Sequence, residues 1–323
     1  MAPAAPRTDR KGTQMTALSI FLAVAIATQT PATPATPDTY VGRWNVIITD
    51  ATDTFVSGGI QIDKTAAGLS GGMVWRSGSF APVKSVEVVD GVLKIIRAAG
   101  EGKQDVFEAR LDGGLLKGQV TYANGRVHRF EGKKAPALPS FKTSAPWKTT
   151  KLFDGATLNG WRLRDPKAKN GWAVVNGELA VVEPKGNADL VSEATFQDMQ
   201  LHLEFNVDPK SNSGVYLRGR YEVQILDNPD AKMALDTHGC GAVYSRLAPK
   251  EDAAKPAGEW QTLDIEFIGR QVEVKLNGKT VVKGVVEGIT GGALSPWEGE
   301  PGPLMLQGDH GRVRFRNIEV KSR

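Results

Sequence analysis

The sequence predicts an all-β protein in two parts: a carboxy-terminal β-sandwich, preceded by a small antiparallel barrel-like domain. Three observations carry this. Apolar and polar residues alternate in short runs over most of the chain, the period-2 signature of strands with one buried face. Helical periodicity is nearly absent, with room for one helical turn at 232–236. Glycine is abundant, 36 of 323 residues, and many glycines sit in Asp-Gly, Asn-Gly and Gly-Gly pairs. Those pairs supply the positive φ of tight hairpin turns. With 41% hydrophobic residues, the chain can fill two cores.

Residues 1–27 read as a signal peptide. Arg7, Arg10 and Lys11 form a basic start, 17–27 is a largely apolar run, and Ala25 and Ala27 give the small-x-small pattern of a cleavage site. The run is shorter than the roughly 20 residues that cross a bilayer, so no membrane span is expected in the mature protein. Half of the formal charge of +4 belongs to this segment. The remainder is nearly neutral and shows no basic stripe interleaved with aromatics, which argues against nucleic-acid binding. The single cysteine, Cys240, cannot form an internal disulfide and is too far from the signal to carry a lipid. A periplasmic or secreted protein is the expectation.

A Pro/Thr-rich linker, 28–39, is expected to run extended. Eight strand-like runs follow in 40–133, separated by tight turns such as Asp90-Gly91 and Asn124-Gly125. Their regular spacing predicts an up-and-down meander curling into a small barrel. Nothing in it resembles a catalytic cluster, so it reads as an accessory domain that binds glycan, anchors the protein or covers an active face. Residues 134–150, rich in Pro, Lys and Ser/Thr, form a second linker.

The sandwich is expected over 151–323. In 201–207, Leu201, Leu203, Phe205 and Val207 share one face while His202, Glu204 and Asn206 share the other. Two sheets with one apolar face each must pack against one another. The densest polar stretch is 212–227. There Val215, Leu217, Val223 and Ile225 point inward, so a hairpin brings Tyr216, Arg218, Glu222 and Gln224 together on an exposed face. An aromatic ring, a cation, a carboxylate and an amide are the groups that recognise sugars. A solvated face with an Arg–Glu cross-strand pair has the same composition. Asp309 and His310 lie between glycines, a carboxylate beside an imidazole whose tautomer it can fix. His238 and Tyr244 lie in another glycine-rich segment, and Trp260 is expected in the core. No cofactor is expected; a divalent metal held by His238, His310 and carboxylates is an open alternative without supporting ligand spacing. No G-x-S-x-G and no base–serine pairing are evident, nor any nucleotide-binding fingerprint.

The ordered segments LFDGATLNGW, GWAVVNGELAV, NSGVYLRG, YEVQILD, HGCGAVYSRLAP, VEVKLNGK and GPLMLQGDHGRVRFRNIEVK resemble the 3-keto-disaccharide hydrolase family, from Leu152 to Lys321. The resemblance implies a concanavalin A-like lectin/glucanase sandwich acting on glycosides already oxidised at C3. It also implies a sugar 3-dehydrogenase as functional partner. Glucanases of that fold resemble one another in a strand motif E-x-D-x-x-E; here 222–227 has Gln224 in place of the central Asp, which argues against double-displacement chemistry. On this reading Glu222 or His310 is the base at C2, Arg218 and Gln224 stabilise the enolate, and Asp309 orients His310. Asn212, Tyr216, Asp227, His238, Tyr244 and Gln307 would contact the sugar. A non-catalytic carbohydrate-binding module is the alternative, a conventional glucanase a more distant one.

Overall fold

The computed structural model describes residues 35–137 and 145–323. The segment expected as a signal peptide, and residues 28–34 of the first linker, lie outside the described residues. The rest of that linker is not extended throughout: Pro37–Tyr40 make one helical turn (α1) with Pro at its start, and Tyr40 is buried. Proline's fixed φ suits the first turn of a helix. Tyr40 donates its hydroxyl to the Gly91 carbonyl at 2.7 Å, and its own carbonyl accepts the Trp44 indole N–H at 2.8 Å, anchoring the turn to the barrel wall.

Nine strands form the first β-structure: β1 (Gly42–Ile48), β2 (Ser57–Thr65), β3 (Gly68–Trp75), β4 (Ser77–Pro82), β5 (Ser85–Val89), β6 (Val92–Ala98), β7 (Gln104–Asp112), β8 (Leu115–Thr121) and β9 (Val127–Lys134). They pair in the order β4-β3-β2-β1-β9-β8-β7-β6-β5, a meander whose ends are brought round so that β1 lies beside β9. The sheet curls around Trp44, Trp75, Phe107 and Phe130, with Trp75 edge-on to Phe107 at 4.8 Å between centroids. The expectation of eight strands missed β4. Its sequence SGSFAP has no apolar alternation, and its pairing with β3 is irregular.

The second β-structure has two sheets. One contains β12 (Trp172–Val175), β13 (Glu178–Val181), β22 (Val313–Ser322), β15 (Met199–Val207), β18 (Gln261–Ile268), β19 (Gln271–Leu276) and β20 (Lys279–Val285), paired in that order, with β10 (Lys148–Lys151) also on β22. The other runs β11 (Trp161–Leu163), β14 (Leu190–Phe196), β21 (Gly302–Leu306), β16 (Asn212–Leu217), β17 (Tyr221–Leu226). Residues 148–150, read as linker, are thus already a strand of the sandwich. The apolar faces meet in one core that includes Leu201, Leu203, Phe205, Val215, Val223, Phe267 and Phe315. The second helical turn, α2 (Ala231–Ala234), is capped by the Asp230 carboxylate on the Met233 N–H.

Trp260 does not join that core. It is half-buried and sits beside the guanidinium groups of Arg316, 3.9 Å from its ring centroid, and Arg314, 5.6 Å away. Residues 35–323 form one compact unit. Val74 and Phe80 of the barrel pack on Ile289 and Ala293 of the loop between β20 and β21.

Candidate active site beneath the barrel

On the outer face of the five-stranded sheet, the part made by β16 and β17 is not solvated. Tyr216, Glu222 and Gln224 are each less than 5% exposed, although the alternation of β16 and β17 points them away from the sandwich core. They line a cavity of about 300 Å³ with Asn212, Tyr244, Gln307, Asp309 and His310. The roof comes from elsewhere: Phe55, Ser77 and Gly78 of the barrel, and Gly291 and Gly292 of the loop between β20 and β21.

Register explains the floor. Tyr216 lies directly opposite Glu222, and Gly214 opposite Gln224. A Cβ at Gly214 would stand 2.4 Å from the Glu222 Oε1, so the glycine of the NSG segment makes room for the carboxylate. The Tyr216 hydroxyl donates to Glu222 Oε2 at 2.8 Å and lies 3.1 Å from the Gly291 carbonyl. Edge strand β17 is covered: the Thr290 hydroxyl accepts the Glu222 N–H, and the 241–244 backbone takes up the Glu222 carbonyl and both groups of Gln224. Such closure removes the free edge of the sheet and fixes β17 in place.

Electrostatics follow from this burial. Desolvation pushes the Glu222 carboxyl up to about 8, against the pull of the Tyr216 hydrogen bond and the nearby His310. Burial, and then the neighbouring Glu222 charge, hold the Tyr216 phenol well above its usual range, so it stays a proton donor. The half-exposed His310 donates its Nδ1–H to the Asp309 carboxylate. That hydrogen bond raises His310 despite burial, and the charges of Asp309, Glu222 and Asp189 add to it. Burial pushes Asp309 upward, but the His310 hydrogen bond and charge outweigh it, and Asp309 ends below its usual value.

Three side-chain amides complete the floor. The amide oxygens of Asn212, Gln224 and Gln307 are buried with no partner among the described residues. Unsatisfied buried amides are costly, and three around one cavity suit a ligand rich in hydroxyl groups.

Two residues that the sequence did not single out support the site. Arg164, just after β11, bonds Asp189 at 3.2 Å and the Gly292 carbonyl at 2.7 Å. It also bonds the hydroxyl and carbonyl oxygens of Thr54 in the barrel and stacks on Phe55, 4.0 Å from the ring centroid. Asp189 in turn accepts the Gly308 N–H at 3.2 Å, fixing the strand end before Asp309. Burial raises Asp189, with Arg164 opposing. The pair stands at one end of β11 and β14, which neighbour each other in space but not in sequence. Only a charged residue directly after an apolar strand hinted at it.

Three expected site residues are placed elsewhere. Arg218 follows the end of β16 with φ of 52°, which turns its side chain off the alternating pattern. Its guanidinium lies over Phe267, bonds the Gly269 carbonyl at 3.0 Å and pairs with buried Asp198 at 3.4 Å. It braces the sandwich instead of lining the cavity. Asp227 accepts the Lys210 N–H at 2.8 Å, holding the turn before β16. His238 sits at the seam between barrel and sandwich, bonded through Nδ1 to Asp236 and through Nε2 to Ser79 Oγ at 2.7 Å. The base–serine pairing that the sequence did not reveal is therefore present, formed across 159 residues of chain. The expected exposed face of Tyr216, Glu222 and Gln224 is likewise corrected, because the barrel covers it. Among the described residues no cluster of three or more His, Cys, Asp or Glu has metal-holding geometry, and His238 and His310 are engaged by different carboxylates.

Residues 148–321 match a family described as the 3-keto-alpha-glucoside-1,2-lyase-like domain. A 3-keto-disaccharide hydrolase from Bacteroides thetaiotaomicron is 27% identical over 146 residues, 35% of this chain; the chain spans about half the length of that relative. Among solved structures, a candidate glycosyl hydrolase from Parabacteroides distasonis is 27% identical with a TM-score of 0.47, covering 54% of this chain and 84% of its own. A β-glucanase from Bacillus licheniformis is 12% identical with a TM-score of 0.36, covering 56% of this chain and 100% of its own.

Proposed function

The chain belongs to the 3-keto-alpha-glucoside-1,2-lyase-like family, and from that premise we propose that it cleaves 3-keto-glycosides by removing the proton at C2. The C3 ketone acidifies that proton. When a base takes it, the electron pair of the C2–H bond forms the enolate of C3. Collapse of the enolate makes the C1=C2 double bond, restores the ketone and breaks the bond from C1 to the aglycone oxygen, which leaves as an alcohol once protonated. Water then adds across C1 and C2, so the net products are 3-keto-glucose and the free alcohol.

The observation that carries this reading is the buried Glu222, with a carboxyl raised to about 8. A carboxylate of that basicity is far better matched to a carbon acid near neutral pH than an ordinary one. His310, raised and held by Asp309, is the acid for the departing oxygen. The amides of Gln224, Gln307 and Asn212 are the donors for enolate and sugar oxygens, while the Tyr216 hydroxyl holds the Glu222 carboxylate in place. Gln224 in place of a second carboxylate supports this over double displacement, which needs two carboxyl groups about 5–5.5 Å apart. Export to the periplasm or beyond, and supply of the ketone by a sugar 3-dehydrogenase, belong to the same proposal.

Incubation with 3-keto-trehalose or 3-keto-lactose beside the unoxidised sugars tests it. Release of the aglycone from the keto sugars alone is the expected result. Binding without cleavage of either would support a carbohydrate-binding module instead, and cleavage of the unoxidised sugars a conventional glucanase.

A further inference from the structure

The barrel lies outside the family match, yet it reaches the five-stranded sheet at both of its edges. At the β11 edge, Thr54 and Phe55 hold Arg164. At the β17 edge, Ser79 bonds His238 at 2.7 Å and Tyr244 at 3.3 Å, and the Phe80 N–H donates to the Ser245 hydroxyl at 3.0 Å. Five strands span about 19 Å at the usual inter-strand spacing, so the barrel bridges the full width of the face. Between these anchors Gly291 lies so close to Gly78 that a Cβ would stand 2.0 Å from the Gly78 oxygen, and the Gly292 N–H bonds the Arg76 carbonyl at 2.8 Å.

Asp236, His238 and Ser79 also form an acid–base–hydroxyl chain, which raises the question of a serine nucleophile. An acyl-transfer site needs free N–H donors for its oxyanion. Here the N–H groups of Phe80, His238, Tyr244 and Ser245 already donate to the Ser245 hydroxyl, Asp236, Glu222 and Thr237 respectively. The chain is a clasp that seats the β3–β4 hairpin.

We propose that the barrel supplies the aglycone wall of the active site, with Phe55 and Ser77 as specificity-determining residues. The proposal rests on the reading of the cavity as a 3-keto-glycoside site. All titratable groups and all three unpartnered amides that line the cavity belong to the sandwich, so the oxidised ring, with its ketone and hydroxyls, is held there. The barrel contributes a phenyl ring, a small hydroxymethyl group and a glycine backbone. Those surfaces offer an aromatic face and shape, which suit a leaving group chosen by size and C–H character more than by fixed hydroxyl positions. The wall is anchored at both edges of the face and narrows it, which disfavours long glycans.

The test is steady-state kinetics of the full chain on the 3-keto forms of methyl glucoside, p-nitrophenyl glucoside and trehalose. The reading is the ratio of kcat/KM for the two larger aglycones to that for methyl. Phe55→Ala should lower this ratio about fivefold, the usual worth of one aromatic contact. Ser77→Trp, which puts an indole in the room left for the aglycone at the exposed cavity mouth, should lower it about tenfold or more. A loss of fold would reduce all three substrates equally and leave the ratio unmoved. If wild type is active and both variants keep the wild-type ratio, the wall proposal fails alone. If wild type cleaves none of the three, the function reading falls, and the wall proposal with it.

Discussion

The two sheets of the sandwich are built from the same alternating pattern, but their outer faces have opposite fates. On the larger sheet the outward residues meet water in cross-strand pairs: Glu204 with Arg316 at 2.7 Å, His202 with Asp264 at 2.6 Å, Gln200 with Glu266 at 2.8 Å, and Lys283 with Glu273 at 2.7 Å. On the smaller sheet Tyr216, Glu222 and Gln224 lie under the barrel, and the Glu222 carboxylate is bonded by the Tyr216 hydroxyl, not by a cation. Burial pulls Glu204 upward, but its hydrogen bonds to Asn317 and Arg316 outweigh this and hold it below its usual value, as the Lys283 hydrogen bond holds Glu273, whereas burial drives Glu222 up. What differs is the dielectric around them, which alternation does not encode.

The comparison can be broken most sharply at Glu222. Glu222→Gln should reduce turnover of a 3-keto-glycoside by about a hundredfold or more, the range of a lost general base. Glu204→Gln on the other face should stay within about twofold, as expected for a group outside the site. Next in size is the buried ion pair at the strand ends. Arg164→Ala leaves Asp189 buried without its cation and should destabilise the protein by about 3 kcal/mol in denaturant melts. Removing Arg316 from its exposed pair should cost at most about 1 kcal/mol. The His310–Asp309 and His202–Asp264 dyads offer a third contrast. His310→Ala should lower turnover at least about tenfold as the acid for the leaving group is lost, whereas His202→Ala should not.

A fourth effect concerns stability against pH. The folded state keeps the Glu222 proton up to about 8, while the unfolded chain releases it near the ordinary glutamate value of 4.5. Between those values the folded state binds more protons, so Glu222 costs stability as pH rises through the window. Glu222→Gln should therefore melt above wild type at about pH 9, and the gap should close towards about pH 5. A gap that does not change with pH would mean that Glu222 is not perturbed by burial.

Much of the fold was legible because it depends on local signals. Alternation assigned the inward set Val215, Leu217, Val223 and Ile225, and the Asn-Gly and Asp-Gly pairs marked turns such as Asn176-Gly177, where Asn176 has φ of 52°. Strand β4 was not legible, since a six-residue edge strand with Phe80 as its one large apolar side chain shows no alternation. Its loss mattered, because β4 and the turn before it carry Ser77, Gly78 and Ser79 to the site. Arg218 was misplaced for a local reason: its left-handed φ ends the alternation one residue earlier than the pattern suggests. The Arg164–Asp189 pair and the Ser79–His238 bond join segments 25 and 159 residues apart. Contacts of that range follow from the tertiary arrangement alone. The resemblance that brought Glu222 and His310 together as a site came from ordered motifs, not from any property that the hairpin shows by itself.

The central claim is that Glu222 removes the C2 proton. A 3-keto-glycoside carrying deuterium at C2 measures this directly, compared with its protium form on the wild-type enzyme near pH 8. A clear primary isotope effect on kcat/KM, with residual turnover by Glu222→Gln far below wild type on both substrates, is the predicted result. Equal rates for the two isotopologues, together with full activity of Glu222→Gln, would contradict it.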